Sequence, residues 1–139
     1  MRNLFAYGTL MCEDIMLEVS GCQLTPVPGT LKNYSRRKVK GEQYPAIMPH
    51  KHSDVKGVVY QNVTDSGWER LDAFEGEMYA RQSVQIELDE RTILSAETYV
   101  VRSEFLEHLE QTEWHFDEFL RTGKTEFQEH YQGYACIEV

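Results

Sequence analysis

Glu75 is the residue whose position along the chain most directly suggests chemistry. It falls in the last turn of a helix that the sequence predicts over residues 66–76. Ser66 is the expected N-cap with Glu69 as its capping-box partner, and Gly76 is the expected left-handed residue at the C-terminal end. The negative end of a helix dipole disfavours an ionised carboxylate, so we expect the pKa of Glu75 to be raised. A carboxyl group adjusted towards neutral pH suits general acid–base catalysis.

Strand patterns surround this helix and must position it. Residues 55–63 are rich in β-branched side chains, which predicts a strand immediately before the helix. After the helix, residues 79–88 and 92–101 form two further strand patterns around a polar turn, which predicts a hairpin. Residues 4–7 predict a short buried first strand, and Gly8 permits a sharp turn at its end.

The remaining segments complete an α+β pattern. Residues 13–19 predict a helix, residues 24–39 a bent strand, and residues 44–49 an extended segment because proline disfavours helix at the residue before it. From residue 103 onward the pattern is helical. Its two apolar faces consist of Phe105, Leu106 and Leu109 and of Trp114, Phe119 and Leu120. We therefore expect a mainly antiparallel sheet or barrel with one internal helix and a helical C-terminal appendage.

The composition indicates one ordinary globular domain. The chain has 139 residues, of which 41% are hydrophobic and 27% charged, so it can form a core without metals or disulfides. Its formal net charge of −9 argues against general binding to nucleic acid or to anionic membranes. The basic run Arg36–Lys38 with Lys40 is best explained as the solvated face of a strand, and a local anion site is the alternative.

Cysteine and histidine usage favours a cytoplasmic protein without a metal. Three cysteines are an odd number without metal-ligand spacing, and we expect them to be reduced: Cys12, Cys22 and Cys136. His50 and His52 flank Lys51 in a predicted exposed loop and have no further ligands at useful spacing. The chain shows no signal-peptide pattern and no apolar run long enough to span a membrane.

Several segments, taken in order, resemble one known family. They are Tyr7–Leu10 (Tyr-Gly-Thr-Leu), Tyr44–Ile47 (Tyr-Pro-Ala-Ile), Gly57–Tyr60 (Gly-Val-Val-Tyr), Leu71–Gly76 (Leu-Asp-Ala-Phe-Glu-Gly), Tyr79–Arg81 (Tyr-Ala-Arg) and Ala96–Val100 (Ala-Glu-Thr-Tyr-Val). Together they resemble the γ-glutamylcyclotransferase-like family, which includes the plant avirulence-induced proteins and small bacterial relatives. The resemblance spans roughly residues 3 to 101, and it is the order and spacing of the segments that make it specific.

The resemblance implies a fold and an activity. The implied fold is a small mixed β-barrel with a cavity over residues 1–102, with residues 103–139 as a helical extension packed on the same domain. The implied reaction is an acyl transfer without a cofactor, in which a γ-glutamyl compound releases 5-oxoproline. Glu75 would be the catalytic acid/base. The segment Tyr7, Gly8, Thr9 and Leu10 would hold the γ-glutamyl group, and Tyr79 and Arg81 would line the cavity or hold Glu75.

Two other functions are compatible with the same sequence. The barrel would be a non-catalytic binding module if its cavity held a small amino-acid-like ligand without converting it. Alternatively, the chain would be an interaction protein that acts through its acidic C-terminal helices. The leaving group (an amino acid, a peptide, a polyamine-like amine or an isopeptide lysine) and the oligomeric state are open at this stage.

Overall fold

The computed structural model describes residues 2–89 and 91–137, and within them five strands close into a mixed β-barrel. The barrel strands are β1 (Arg2–Ala6), β2 (Val27–Val39), β3 (Pro45–Val63), β4 (Tyr79–Glu87) and β5 (Ile93–Val101), and β6 (Leu109–Glu113) pairs with β2 at the edge of the same sheet. The sheet order is β3-β1-β5-β4-β2-β6, and a further pairing of β3 with β2 closes the barrel. The pair β1–β5 is parallel and the other pairs are antiparallel. The expected α+β fold with a small mixed barrel is confirmed.

Four short helices lie outside the barrel strands in the part of the chain that the structure describes. They are α1 (Glu13–Ser20), α2 (Asp65–Glu75), α3 (Phe116–Glu118) and α4 (Lys124–His130). A π-helical turn at Phe119–Gly123 joins α3 to α4, and 3-10 turns occupy Thr9–Met11, Ser103–His108 and Gln132–Cys136. Among the described residues, no helix combines the length and the apolar character needed to cross a membrane.

A long hairpin of β2 and β3 replaces several separate segments of the sequence prediction. The prediction of a loop at His50 and His52 is wrong, because both residues lie within the continuous strand β3. The register shifts between Lys32 and Tyr34, and Asn33 and His52 have left-handed φ angles of 66° and 67°. An irregularity of this kind bends both strands while pairing continues on either side, so the ladder does not end there.

Helix α2 begins earlier than predicted and ends where predicted. Its N-cap is Thr64, whose Oγ1 accepts a 3.1 Å hydrogen bond from the Gly67 N–H, so the predicted capping box of Ser66 and Glu69 is wrong. Thr64 has extended backbone angles at the end of β3, and this places its hydroxyl beside the first turn of the helix. Gly76 follows the last helical residue with a φ of 79°, which places Glu75 in the last turn.

The C-terminal region contains a 3-10 turn at Ser103–His108 and is α-helical from Phe116 onward. The prediction of helix is wrong for the segment between them, because Leu109–Glu113 forms β6 and pairs antiparallel with β2. The basic run of β2 faces acidic partners there: Lys38 lies 3.5 Å from Glu118, and Arg36 lies 3.9 Å from Glu113. The Arg36–Glu113 pair joins β2 to β6, and the Lys38–Glu118 pair joins β2 to α3.

Two hydrophobic clusters form the core, and β1 contributes to both. Leu4 and Ala6 belong to the cluster that includes α1, α2 and the C-terminal aromatic residues. Phe5 and Tyr7 belong to the cluster formed with barrel residues such as Ile47. Because successive side chains of a strand point to opposite faces, β1 separates the barrel interior from the helical layer. The turn that follows β1 therefore lies where both clusters meet.

Candidate active site

A cavity lies at the end of β1, beside the C-terminal end of α2. It encloses about 390 Å³ of atom-free space, including its open mouth. Its walls are Leu4 to Leu10 from β1 and the following turn, Phe74 and Glu75 from α2, and Tyr44, Pro45, Tyr79, Tyr99, Phe127 and Tyr131. Tyr44, Glu75 and Tyr131 are partly exposed and mark the mouth, whereas the other lining residues are buried. The cavity brings together every site residue predicted from the sequence except Arg81.

Glu75 is the acidic residue of this cavity. Burial, and to a smaller extent the nearby Asp72 carboxylate, together raise the pKa of Glu75 from its ordinary value of 4.5 to about 8. The direction matches the expectation from the helix dipole, but removal from water is the main cause. A carboxyl group with this pKa exchanges its proton near neutral pH, which is what a general acid and base requires.

The C-terminal region fixes the helix end that carries Glu75. The Tyr131 hydroxyl donates hydrogen bonds to the main-chain carbonyl oxygens of Phe74, at 2.8 Å, and Glu75, at 3.4 Å. These carbonyl groups lie in the last turn of α2, where a helix provides no partner of its own. The Tyr131 ring also stacks on Phe127, with ring centroids 4.7 Å apart. Sequence reasoning missed Tyr131, although Phe127 and Tyr131 have the spacing of one helix face.

The turn after β1 forms another part of the cavity wall and depends on close packing at Gly8. A Cβ atom at Gly8 would lie 2.8 Å from Cγ of Pro45, a separation that real Cβ atoms essentially never show. The 3-10 turn Thr9–Met11 follows directly. The first N–H groups of a helical turn have no acceptor within it, so this segment can offer main-chain donors to an anionic group in the cavity.

Tyrosine hydroxyls in the walls are already engaged by the protein. Tyr7 donates to the main-chain oxygen of Tyr99 at 2.6 Å, and Tyr79 donates to the main-chain oxygen of Pro45 at 2.8 Å. Burial raises the pKa of Tyr7 and of Tyr79 well above 10 and raises that of Tyr44 to about 12. These tyrosine hydroxyls are therefore neutral near neutral pH, and Glu75 is the lining residue whose pKa allows it to exchange a proton there.

Arg36 contacts the Tyr7–Leu10 turn from outside the cavity. Its Nη1 donates to the main-chain oxygen of Tyr7 at 2.8 Å and to that of Lys56 at 3.1 Å. The guanidinium carbon lies 5.4 Å from the ring centroid of Trp114, a cation–π contact with the C-terminal region. Its side chain is only 11% exposed. The sequence presented Arg36 merely as part of a basic run.

Arg81 does not occupy the place predicted for it. It lies outside the cavity lining, where Nη1 is 3.7 Å from Asp72 Oδ2 and Nε is 3.5 Å from Glu97 Oε1. Its guanidinium carbon also lies 4.6 Å from the ring centroid of Trp68. Two carboxylates and an aromatic face hold the cation there, so the prediction that Arg81 lines the cavity or holds Glu75 directly is corrected.

Metal-ligating side chains are not clustered in the part of the chain that the structure describes. Within residues 2–89 and 91–137, no group of three or more His, Cys, Asp or Glu side chains is arranged to hold a metal ion.

Comparison with known proteins identifies the family. Residues 4–116 match the family model described as gamma-glutamyl cyclotransferase, AIG2-like. The chain belongs to this family. It is 36% identical over 104 residues to AIG2-like protein D of Arabidopsis thaliana, which covers 72% of this chain and 67% of that relative. It is 31% identical over 130 residues to AIG2-like protein A of the same plant, which covers 93% of this chain and 78% of the relative.

Solved structures agree with this assignment. The solution structure of an Arabidopsis thaliana protein has a TM-score of 0.71 at 29% identity and covers 92% of this chain and 78% of that chain. A gamma-glutamyl cyclotransferase has a TM-score of 0.65 at 16% identity, with 99% of this chain and 88% of that chain covered. A yeast gamma-glutamyl cyclotransferase specific to glutathione has a TM-score of 0.62 at 11% identity, with 93% and 87% covered. The last two likenesses show the shared fold alone.

Proposed function

We propose that this protein is a γ-glutamylcyclotransferase that releases 5-oxoproline from a γ-glutamyl amine or peptide. The observation that carries the proposal is Glu75, a partly buried carboxyl group with a pKa of about 8 at the mouth of the cavity. The Tyr7–Leu10 turn lies in the same cavity, and the family model matches the chain across both features. We also place the protein in the cytoplasm, because its three cysteines are free and free thiols persist in reducing compartments.

The reaction needs no nucleophile from the protein. The α-amine of the substrate attacks its own γ-carbonyl carbon, and a new C–N bond closes a five-membered ring. Well-oriented intramolecular reactions reach effective molarities of about 10⁵ M or more, so holding the substrate in a folded conformation supplies much of the rate. The cavity walls, which are buried apart from the mouth, hold the substrate and exclude water that would compete with the amine.

Glu75 carries the proton through both halves of the reaction. As the carboxylate, it removes a proton from the α-ammonium group and releases the amine for attack. As the carboxylic acid, it then gives that proton to the departing nitrogen while the original amide C–N bond breaks. The attacking nitrogen also gives up a second proton as the lactam forms, and this proton ends on the released amine, so the products are 5-oxoproline and an ammonium ion, and the carboxylate is restored. A pKa near 8 lies between those of an ordinary carboxyl group and an alkylammonium, so neither transfer is strongly uphill.

The Tyr7–Leu10 turn supplies the electrostatic part of the proposal. Main-chain N–H groups of Gly8, Thr9 and Leu10 would hold the α-carboxylate and the oxyanion that forms at the γ-carbonyl. One well-placed oxyanion donor contributes roughly 3 kcal/mol to transition-state stabilisation. Tyr79 lines the cavity, and its hydroxyl donates to the main-chain oxygen of Pro45, the residue that packs against Gly8 in the turn. Arg81 has no substrate contact in this scheme.

The deciding experiment is 5-oxoproline release from a panel of γ-glutamyl compounds. The panel contains a γ-glutamyl amino acid, a γ-glutamyl dipeptide, a γ-glutamyl polyamine and ε-(γ-glutamyl)lysine, and the best substrate identifies the leaving group. Glu75→Gln should reduce turnover at least about 100-fold, the range of general acid–base catalysis. Glu77→Gln is the matched control, because Glu77 is exposed just beyond the helix end. Equal loss in both variants would contradict the assignment of Glu75.

A binding module is the second candidate, and one observation favours it. The curated plant relatives carry names that state no reaction. If the panel compounds raise the melting temperature without any 5-oxoproline appearing, the cavity binds such compounds without converting them. Product formation that depends on Glu75 would exclude this alternative.

A further inference from the structure

Asp72 is another carboxylate of helix α2, and it lies on the same side of this helix as Glu75. The two residues are three positions apart, so they are neighbours on the helix surface. Both oxygens of Asp72 are engaged: Oδ1 accepts a 2.7 Å hydrogen bond from the Tyr99 hydroxyl, and Oδ2 lies 3.7 Å from Arg81 Nη1. Tyr99 lines the cavity, whereas Asp72 and Arg81 do not. Asp72 thus connects the cavity wall to a cation outside it.

The cation is held in turn by a second ion pair. Arg81 Nε lies 3.5 Å from Glu97 Oε1, and Arg2 Nη1 lies 2.9 Å from Glu97 Oε2. The side chain of Glu97 is only 13% exposed, and the Trp68 ring covers the Arg81 guanidinium. Arg81 therefore lies within ion-pair distance of both Asp72 and Glu97, and Asp72 shares its counter-charge with another carboxylate.

We infer that Asp72 is a positioning residue for the proposed reaction, which orients the Tyr99 ring in the cavity wall and places a negative charge beside Glu75, with Arg81 setting the strength of that charge. The inference rests on the proposed function, since it concerns the proton-transfer group of that site. It also gives Arg81, the last residue of the Tyr79–Arg81 segment, a role: Arg81 acts on the site through its ion pair with Asp72 and does not contact the substrate.

Asp72 is the charged group that contributes to the raised pKa of Glu75. The titratable groups that Glu75 influences are five tyrosines, which come from the turn after β1, the segment before β3, β4, β5 and the C-terminal region: Tyr7, Tyr44, Tyr79, Tyr99 and Tyr131. Burial raises the pKa of each of these tyrosines, so they are neutral where Glu75 titrates. After burial, Asp72 is the remaining cause of the raised pKa of Glu75.

The arrangement predicts opposite effects for the two ends of the Asp72–Arg81 pair. Asp72→Asn removes the charge but keeps an oxygen that can accept the Tyr99 hydrogen bond, so Glu75 should ionise more easily. Arg81→Met removes the cation but keeps an apolar stem over Trp68, so Asp72 acts on Glu75 more strongly. A purely structural role would weaken the site in both variants without moving its titration in opposite directions.

The test is a carbon-13 NMR titration of the Glu75 carboxyl group in the full chain, with glutamate labelled and the signal assigned by its loss in Glu75→Gln. We expect the midpoint to fall by about one pH unit in Asp72→Asn and to rise in Arg81→Met. Glu69→Gln is the matched control, because it removes the same charge from an exposed position of the same helix. A midpoint in Asp72→Asn that matches the Glu69→Gln control would overturn the inference.

The same variants separate this inference from the proposed function. If wild-type protein turns over a γ-glutamyl compound, the acid limb of its kcat/KM profile should move with the NMR midpoint in each variant. If no compound is turned over, the proposed function fails, and the NMR titration still decides whether Asp72 acts on Glu75. Thermal unfolding confirms that each variant is folded, and if Asp72→Asn does not fold, Arg81→Met decides alone, with an unchanged or lowered midpoint counting against the inference.

Discussion

The Tyr131 hydroxyl donates a 2.8 Å hydrogen bond to the main-chain oxygen of Phe74, the residue that precedes Glu75. Fifty-seven positions separate the two residues, and their rings also pack edge to face with centroids 4.8 Å apart. A residue close to the C-terminus therefore closes the hydrogen bonding of the helix that carries the proposed acid/base. The C-terminal region is part of the site, because Phe127 and Tyr131 also line the cavity.

Tyr131→Phe should weaken this connection without emptying the space that the ring fills. Loss of the hydroxyl leaves partly buried carbonyl groups without their partner, which costs about 1–3 kcal/mol in the free energy of unfolding. We expect turnover to fall several-fold because the last turn of α2 becomes less well fixed. Urea unfolding and the 5-oxoproline assay measure the two effects.

Tyr134→Phe is the matched control for this prediction. The Tyr134 hydroxyl is buried and has no hydrogen-bond partner among the described residues. Its removal should leave the free energy of unfolding unchanged or slightly higher, since no hydrogen bond is lost. If both phenylalanine variants lose the same stability, the hydrogen bond from Tyr131 is not what fixes the helix end.

The raised pKa of Glu75 predicts that stability falls as pH rises. Below pH 4.5 the carboxyl group is protonated in both the folded and the unfolded chain, so it does not affect stability. Between pH 4.5 and about 8 the unfolded chain releases its proton first, and this lowers the free energy of unfolding progressively. Above about pH 8 both forms are ionised and the full effect remains.

Glu75→Gln should remove this pH dependence. Glutamine does not ionise, so the variant should gain stability relative to wild type across this window, at about 1.4 kcal/mol for each unit by which the pKa is raised. The measurement is urea unfolding of both proteins at pH 4, 6, 8 and 9. A difference between the two proteins that stays constant with pH would show that Glu75 titrates normally.

Features that are determined by residues close together in the sequence could be predicted from it. Glu75 in the last turn of α2, with Gly76 after it, was predicted correctly because a helix end is set by a few adjacent residues. The hairpin of β4 and β5 was predicted because its turn and both alternating patterns are contiguous. The N-cap was missed because Thr64 and Ser66 are equally good capping residue types, and the end of β3 decides between them.

Features that depend on contacts between distant segments were missed. The family resemblance named Arg81 as a site residue, but only the fold shows that Asp72 and Glu97 hold it outside the cavity. Likewise, the pattern after residue 103 suits a helix in isolation, and the pairing of β6 with β2 overrides it. Local preference is weak compared with the ion pairs and strand hydrogen bonds that tertiary structure adds.

Arg36 provides a prediction about the Tyr7–Leu10 turn. Arg36→Met should release the Tyr7 main-chain oxygen while it retains apolar contact with Trp114, so the turn should become less ordered. Hydrogen bonds to charged groups contribute about 1.5–3 kcal/mol, and we expect a loss of stability in this range. We also expect KM to rise more than kcat falls, because the proposed role of the turn is to hold the γ-glutamyl group. Arg37→Met is the control, since the Arg37 guanidinium donates to the Ser35 hydroxyl, at 3.5 Å, and not to the Tyr7–Leu10 turn in the part of the chain that the structure describes. Comparable kinetic losses in both variants would assign the effect to general surface charge.

Gly8 provides the most direct test of the turn geometry. In Gly8→Ala the new Cβ atom would meet Cγ of Pro45 at 2.8 Å and Cδ at 2.9 Å, so either the turn or the Pro45 ring must move. Because both residues line the cavity, we expect kcat/KM to fall at least about tenfold, in keeping with the sensitivity of such reactions to misplacement of around 1 Å.

Adding Pro45→Ala removes both opposing ring atoms and retains the main-chain oxygen that accepts from Tyr79. Gly8→Ala should therefore lower kcat/KM less when it is introduced into Pro45→Ala than when it is introduced into the wild-type protein. Losses that simply add in the double variant would show that Gly8 is needed for a reason other than its contact with Pro45.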